Sequence, residues 1–147
     1  MKWIQKRFDQ LTTQELYKIL ELRTEVFVVE QNCPYKEVDG LDDECVHIWL
    51  EDKGEMIAYC RIVPPQASGD YHAIGRVLVV KQQRGKGYAK DLMNKAIETL
   101  KQSDNIEGIS LHGQEYLRHF YGSFGFKEVT EVYLEDNIPH VDMVMKL

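Results

Sequence analysis

The stretch Val77-Leu78-Val79-Val80-Lys81-Gln82-Gln83-Arg84-Gly85-Lys86-Gly87-Tyr88-Ala89-Lys90 changes character twice along its length. Residues 77–80 are all apolar and read as the end of a strand over Ala73–Val80. Their unbroken apolarity predicts burial on both faces, and so a central place in a sheet. Small residues follow at 85, 87 and 89. Beyond them Ala89, Leu92, Met93, Ala96, Ile97 and Leu100 recur at the spacing of a helix with one buried face, over about Gly85 to Lys101. Strand, glycine turn and helix start together make an anion cradle. The first helical amides have no internal partner, the helix dipole adds positive character, and small residues let a ligand approach the backbone. Lys86 and Lys90 are candidate charged donors. Two other phosphate motifs fail here: Val80 stands where a Walker loop needs its first glycine, and Lys90 where a dinucleotide fingerprint needs its third.

Working outward, Trp3 to Phe8 reads as a first strand. Thr12 and Glu15 form a capping box ahead of a helix carrying Leu16, Ile19, Leu20, Val26 and Phe27 on one side. Residues 31–44 read as a loop with Pro34, Gly40 and five acidic residues, Glu37, Asp39, Asp42, Asp43 and Glu44. This loop is either plainly solvated or an attractor for a cationic partner. Cys45–Glu51 and Met56–Val63 read as a hairpin turning at Gly54. Ile109–Leu111 is a strand and Gln114–Phe124 a helix stopped by Gly125. Phe126–Tyr133 and His140–Leu147 are two last strands, with Pro139 just before the second. Hairpins alternating with strand–helix–strand units predict an α+β fold, an α/β sandwich on a mixed sheet flanked by helices.

The chain has 147 residues, which suits one domain over 1–147. It carries a net charge of −6 with no basic block, which argues against nucleic acid and against an anionic membrane surface. No apolar run approaches the ~20 residues of a membrane span. Met1 to Arg7 lacks a signal-peptide core, so a cytoplasmic location is expected. The three cysteines, Cys33, Cys45 and Cys60, read as free thiols in a reducing compartment. No Cys or His pair has zinc-ligand spacing, so no metal is expected. Cys33 has no activating neighbour apart from Lys36, which speaks against a covalent acyl-thioester role.

Arg84-Gly85-Lys86-Gly87-Tyr88-Ala89 resembles the Q/R-x-x-G-x-G/A signature of the GNAT acyltransferases. Val77-Leu78-Val79 is similar to the segment that lines the pantetheine arm in that family. Phe120-Tyr121-Gly122-Ser123-Phe124-Gly125-Phe126 is similar to its tyrosine-then-GF element. The stretch from Arg23 to Gly40, with His47, Arg61, Arg76 and Ile138-Pro139-His140, resembles the ElaA-type subgroup. The resemblance implies the GNAT fold, a mostly antiparallel sheet of about six to seven strands. It implies that the strands at 73–80 and 109–111 splay at a bulge and admit pantetheine like a pseudo-strand. It also implies an acetyl-CoA-dependent N-acetyltransferase acting on a small-molecule or peptide amine by direct transfer, with room for a homodimer. The alternative is a non-catalytic acyl-CoA-binding module of the same fold.

On this resemblance the backbone of Val77, Leu78 and Val79 would face pantetheine, with the Val79 amide near the thioester oxygen. Residues Arg84, Gly85, Lys86, Gly87, Tyr88, Ala89 and Lys90 would hold the pyrophosphate. Gln114 stands where many members carry a cofactor-contacting asparagine. Tyr121 matches the general acid that protonates the departing thiolate, and a phenol suits the task because its reference pKa is ~10. A lysine-like ammonium, with reference pKa ~10.4, needs help to lose its proton at neutral pH. Glu30, His112 and His140 are the candidate bases, in that order. Glu30 could instead pair with Arg23, Arg61 or Arg76, and these arginines could grip a carboxylate on the acceptor.

Overall fold

The computed structural model describes residues 1–34 and 36–147. Tyr35, within the subgroup-like stretch quoted above, lies outside the described residues. Among them, β1 (Lys2–Arg7) leads to α1 (Thr13–Thr24). Then come β2 (Val46–Asp52), β3 (Glu55–Val63), β4 (His72–Val79), α2 (Tyr88–Lys101), β5 (Gly108–Gln114), α3 (Arg118–Gly122), β6 (Lys127–Glu128), β7 (Tyr133–Glu135) and β8 (Ile138–Lys146). All eight strands join one sheet in the order β1-β2-β3-β4-β5-β8-β6, with β7 also paired to β8. Only the β4–β5 pair is parallel. The expected fold class holds. The strand count is higher than anticipated because residues 126–133 do not run as one strand: β6 keeps two residues, and β7 is a separate short strand.

The capping box forms as read. The Glu15 amide donates to Thr12 Oγ1 at 3.0 Å and the Thr12 amide to Glu15 Oε1 at 2.9 Å. Helix α1 runs on into a wider π-helical turn over Glu25–Glu30, where a β-branched run strains ordinary helix packing.

Two apolar layers cover the sheet. Leu92, Met93, Ala96, Ile97 and Leu100 of α2 pack on Ile48, Leu50, Ala58, Cys60, Ile62 and Ile74. Ile19 of α1 packs on the other face with Trp49, Tyr59 and Leu78. Ile74 and Leu78 are four residues apart on β4, so strict alternation would put them on one face. They lie on opposite faces because β4 bulges between them. Arg61 pairs with Gly75 and Tyr59 with Leu78, so β4 carries an extra residue there. Arg76 sits in the bulge at φ +51°. A left-handed non-glycine residue costs roughly 1–2 kcal/mol, so something must hold it.

The bulge also undoes the parallel pairing. β4 and β5 pair only through His72–Ile109 and Ala73–Ser110 and then diverge. The double-sided burial expected of 77–80 is therefore corrected. Leu78 is buried, but Val77, Val79 and Val80 are half-exposed, because β4 borders an open cleft where a neighbouring strand would otherwise lie.

Candidate functional site

The gap between β4 and β5 opens into a cleft of about 460 Å³. One wall is β4 from Ile74 to Val79, another is β5 with α3, and the π-helical turn closes one side through Val26, Phe27 and Glu30. Of the cofactor residues expected from the sequence, Val77, Leu78, Val79, Arg84, Gly85, Gly87, Tyr88, Ala89, Lys90 and Gln114 line it. Lys86 is not among the lining residues; its Nζ donates to Gln83 Oε1 at 2.9 Å. The helix expected from Gly85 begins at Tyr88, because Gly85 and Gly87 take φ +82° and +84°, and Gly87 is the N-cap. The first bond back into the helix runs from the Asp91 amide to the Gly87 carbonyl at 3.2 Å. The amides of Tyr88, Ala89 and Lys90 therefore have no helical partner. No atom lies within 4 Å of where a Cβ would stand on either glycine. Free amides beside open, left-handed glycines suit a bound pyrophosphate.

The backbone of β4 is turned the same way. The Val80 amide donates to the Ile57 carbonyl at 3.0 Å, so by antiparallel alternation the polar groups of Val79 point away from β3. Arg84 Nε donates to the Val79 carbonyl at 3.0 Å. The same guanidinium grips Glu30 bidentately, at 2.8 and 3.0 Å. That hydrogen-bonded ion pair holds the Glu30 carboxyl below its usual range, against a smaller opposing effect of burial. The partner expected for Glu30 among Arg23, Arg61 and Arg76 is thus corrected to Arg84.

Those three arginines are held by the acidic loop instead. Arg23 Nε donates to Glu37 Oε1 at 2.6 Å and Nη1 to Asp42 Oδ1 at 2.6 Å; Arg61 bonds Asp42 at 2.9 Å and also pairs with Asp39. Arg76 Nε reaches Glu37 Oε1 at 2.8 Å. His47 donates from Nε2 to the Asp42 carbonyl at 3.0 Å and accepts from the Tyr59 hydroxyl at 2.7 Å. Glu37 and Asp42 are buried, so the solvated-loop reading fails at both. Arginines committed in this way are not available to grip an acceptor's carboxylate. The carboxylates of Glu37 and Asp39 hold Arg76, and through it the bulge that opens the cleft.

This network should leave an acid signature. Burial alone would raise the Asp39 carboxyl, but Arg61, the Leu41 amide and Arg76 together lower it to about 2. A carboxyl lowered on folding stabilises the protein above its unfolded pKa, ~3.9, and loses that contribution as pH falls through the folded value. Urea unfolding at stepped pH is therefore expected to show wild type losing stability between about pH 4 and 2. Asp39→Asn should be less stable at pH 7 and flatter over that interval. An equal slope in both proteins would refute the assignment.

Tyr121 lies on α3 and lines the cleft with its ring against β5. A Cβ at Gly113 would stand 3.0 Å from that ring, so glycine there leaves the ring room that any other residue would press on. Burial pushes the Tyr121 hydroxyl up to about 12. The helix expected over 114–124 is corrected: Gln114 ends β5, a 3₁₀ turn covers Glu115–Leu117, and α3 spans only Arg118–Gly122. Gln114 Nε2 donates to Gln31 Oε1 at 3.2 Å. His112 and His140 also line the cleft. Cys33 is buried outside its lining and donates to the Asp136 carbonyl at 3.6 Å. Asp142 and Tyr133, which bond His112 and each other, were not singled out in the sequence; no motif marks them, and only strand register brings them there.

Sheet, bulge, splayed strands and glycine turn define an acyltransferase of the GNAT class. The Acetyltransferase (GNAT) domain family matches residues 9–147, and the chain belongs to that family. Within it, the chain is 40% identical to protein ElaA of Escherichia coli, over 100% of this chain and 97% of that protein. The crystal structure of Escherichia coli ElaA superposes with a TM-score of 0.91 over 99% of each chain. That of an acyl-CoA N-acyltransferase from Pseudomonas aeruginosa, 42% identical, superposes at 0.92 over 98% of each. A UPF0039 protein of Schizosaccharomyces pombe is 44% identical over 100% of this chain and 98% of its own. No helix among the described residues is long and apolar enough to cross a membrane.

Proposed function

We propose that this chain is an acetyl-CoA-dependent N-acetyltransferase that passes the acetyl group directly to a primary amine of a small-molecule or peptide acceptor. The observation that carries the reading is one continuous cleft. It joins the free helix-start amides at Gly87–Lys90 to the Tyr121 phenol through the gap between β4 and β5. Kinship with an acyl-CoA N-acyltransferase supports the same donor class.

In this reading the amides of Tyr88, Ala89 and Lys90 bind the pyrophosphate, and Gly85 and Gly87 leave room for it. The backbone of Val77 and of Val79, the latter facing away from β3, binds the pantetheine arm. Acetyl-CoA supplies an acyl carbon activated by its thioester. Tyr121 keeps its proton at neutral pH and gives it to the departing sulfur. Glu30 holds Arg84 across the mouth of the cleft, a positioning part rather than a proton-accepting one, since its carboxylate is committed to two guanidinium bonds.

Acetyl-CoA is expected to raise the melting temperature of the protein by binding its native state. Gly87→Val should abolish that shift, because valine fits poorly at φ +84° and its branches fill the cradle. Circular dichroism of the variant checks that it folds. An undiminished shift in a folded variant would remove the cradle assignment. Transfer itself is tested by free-thiol release across polyamines, amino acids and peptides. Binding without thiol release on any amine would favour a binding module.

A further inference from the structure

Three neighbouring strands place a polar cluster on the sheet face that carries His112. His112 on β5 stands directly opposite Asp142 on β8, and Tyr133 on β7 stands opposite His140, two residues before Asp142. Directly opposite and diagonal partners on one face are within side-chain reach. His112 Nδ1 lies 2.6 Å from Asp142 Oδ1, and the Tyr133 hydroxyl donates to the same oxygen.

We propose that His112 takes the proton from the acceptor amine, and that Asp142 and Tyr133 are positioning residues that hold its ring in the tautomer able to do so. The inference rests on the acyltransferase reading above and names the acceptor side of that site.

An ionised carboxylate has no proton to donate, so Nδ1 of His112 must carry the hydrogen and Nε2 is left with its lone pair. Burial alone would raise the Asp142 carboxyl, but the bonds from Tyr133 and His112 outweigh it and keep the group ionised. Nε2 has no hydrogen-bond partner among the described residues, and the side chain is 63% exposed at the cleft. The other candidate bases are occupied. Glu30 is gripped by Arg84. His140 is buried, donates from Nδ1 to the Ile138 carbonyl at 2.7 Å, and faces Glu135 across 3.7 Å.

The step balances. The amine lone pair forms the N–C bond, and the C–S bond breaks with its pair on sulfur. The proton leaving nitrogen goes to His112 Nε2, and sulfur takes the Tyr121 proton. Both side chains then return to their starting forms by exchange with water.

Asp142 and Tyr133 bond His112; Glu30, Arg76, Tyr116, Tyr121 and His140 share the cleft lining with it, and Glu135 pairs with His140. The Asp142 carboxylate fixes the hydrogen on Nδ1, and an amide in its place does so less firmly. Nitrogen-15 imidazole shifts, read on the free protein at neutral pH, are expected to show His112 protonated on Nδ1 with Nε2 bare. In Asp142→Asn that preference should be lost. With an amine found by thiol release, Asp142→Asn should lower kcat by about tenfold to 100-fold with the acetyl-CoA KM unchanged. Tyr133→Phe should show a smaller loss in the same direction. A wild-type ring protonated on Nε2 would overturn the proposal, as would an Asp142→Asn protein with kcat within about twofold of wild type. The tautomer is read without substrate, so its failure is distinct from a failure of the transfer reading, which the amine screen tests.

Discussion

Tyr121→Phe is expected to lower kcat by about 10²–10⁴ while leaving acetyl-CoA affinity nearly unchanged. The ring is 8% exposed and packs edge-on to Phe120, with centroids 5.3 Å apart. Phenylalanine keeps that packing and removes only the hydroxyl. The hydroxyl has no hydrogen-bond partner among the described residues, so its removal breaks no internal bond and the fold should be retained. Since burial pushes its ionisation up to about 12, the phenol should not limit activity on the alkaline side below about pH 10. Unfolding midpoint, acetyl-CoA dissociation constant and kcat on one preparation decide the matter. A folded, cofactor-competent variant with kcat within about threefold of wild type, or ~0.7 kcal/mol of barrier, would end the general-acid assignment.

Arg23→Met is expected to cost about 3–5 kcal/mol of stability, the usual result of breaking a buried ionic network by removing one partner. Arg23 is 0% exposed and donates to Glu37 Oε1, Asp42 Oδ1 and the Glu37 carbonyl. Without it, three carboxylates face two arginines in a site that water reaches poorly. For a chain of this size the loss corresponds to a fall in Tm of roughly 10 °C or more. Arg23→Lys should rescue little, because one ammonium cannot replace a fork that serves two side chains and a carbonyl. Denaturant unfolding of both variants tests this; a loss under about 1 kcal/mol for Arg23→Met would show the network to be screened by solvent. Glu37 Oε1 is shared by Arg23 and Arg76, so the same variant should loosen the bulge and weaken acetyl-CoA binding.

The glycine turn at the cleft was legible because it is local. Strand, glycine turn and helix start are contiguous in sequence, and the left-handed φ values at Gly85 and Gly87 belong to the residue type best able to adopt them. The capping box at Thr12 and Glu15 was readable for the same reason. Helix α2 was placed by periodicity, with its start displaced only by the two glycines.

Elsewhere local pattern misled. The apolar run at 77–80 signals burial equally well for a strand enclosed on both sides and for one that lines a cleft, since a cleft wall can be apolar too. The acidic loop reads as solvated because charge runs usually are, and nothing near it in sequence announces Arg23, Arg61 and Arg76. The family resemblance implied a bulge in the strand at 73–80, but local pattern does not place it at Arg76. A left-handed arginine is a poor local choice, and it persists because Glu37 and Asp39 hold its side chain.

Residue order alone placed the glycine turn, helix α2 and most of the strands, because each depends on contacts a few positions apart. Folding in three dimensions decided which carboxylate answers which arginine, where β4 and β5 part, and that His112 meets Asp142 and Tyr133. Those pairings cross from 14 to 54 residues of chain or join separate strands, and they are set by register and twist. A slip of one position in β8 would turn Asp142 to the opposite face and leave His112 without its partner.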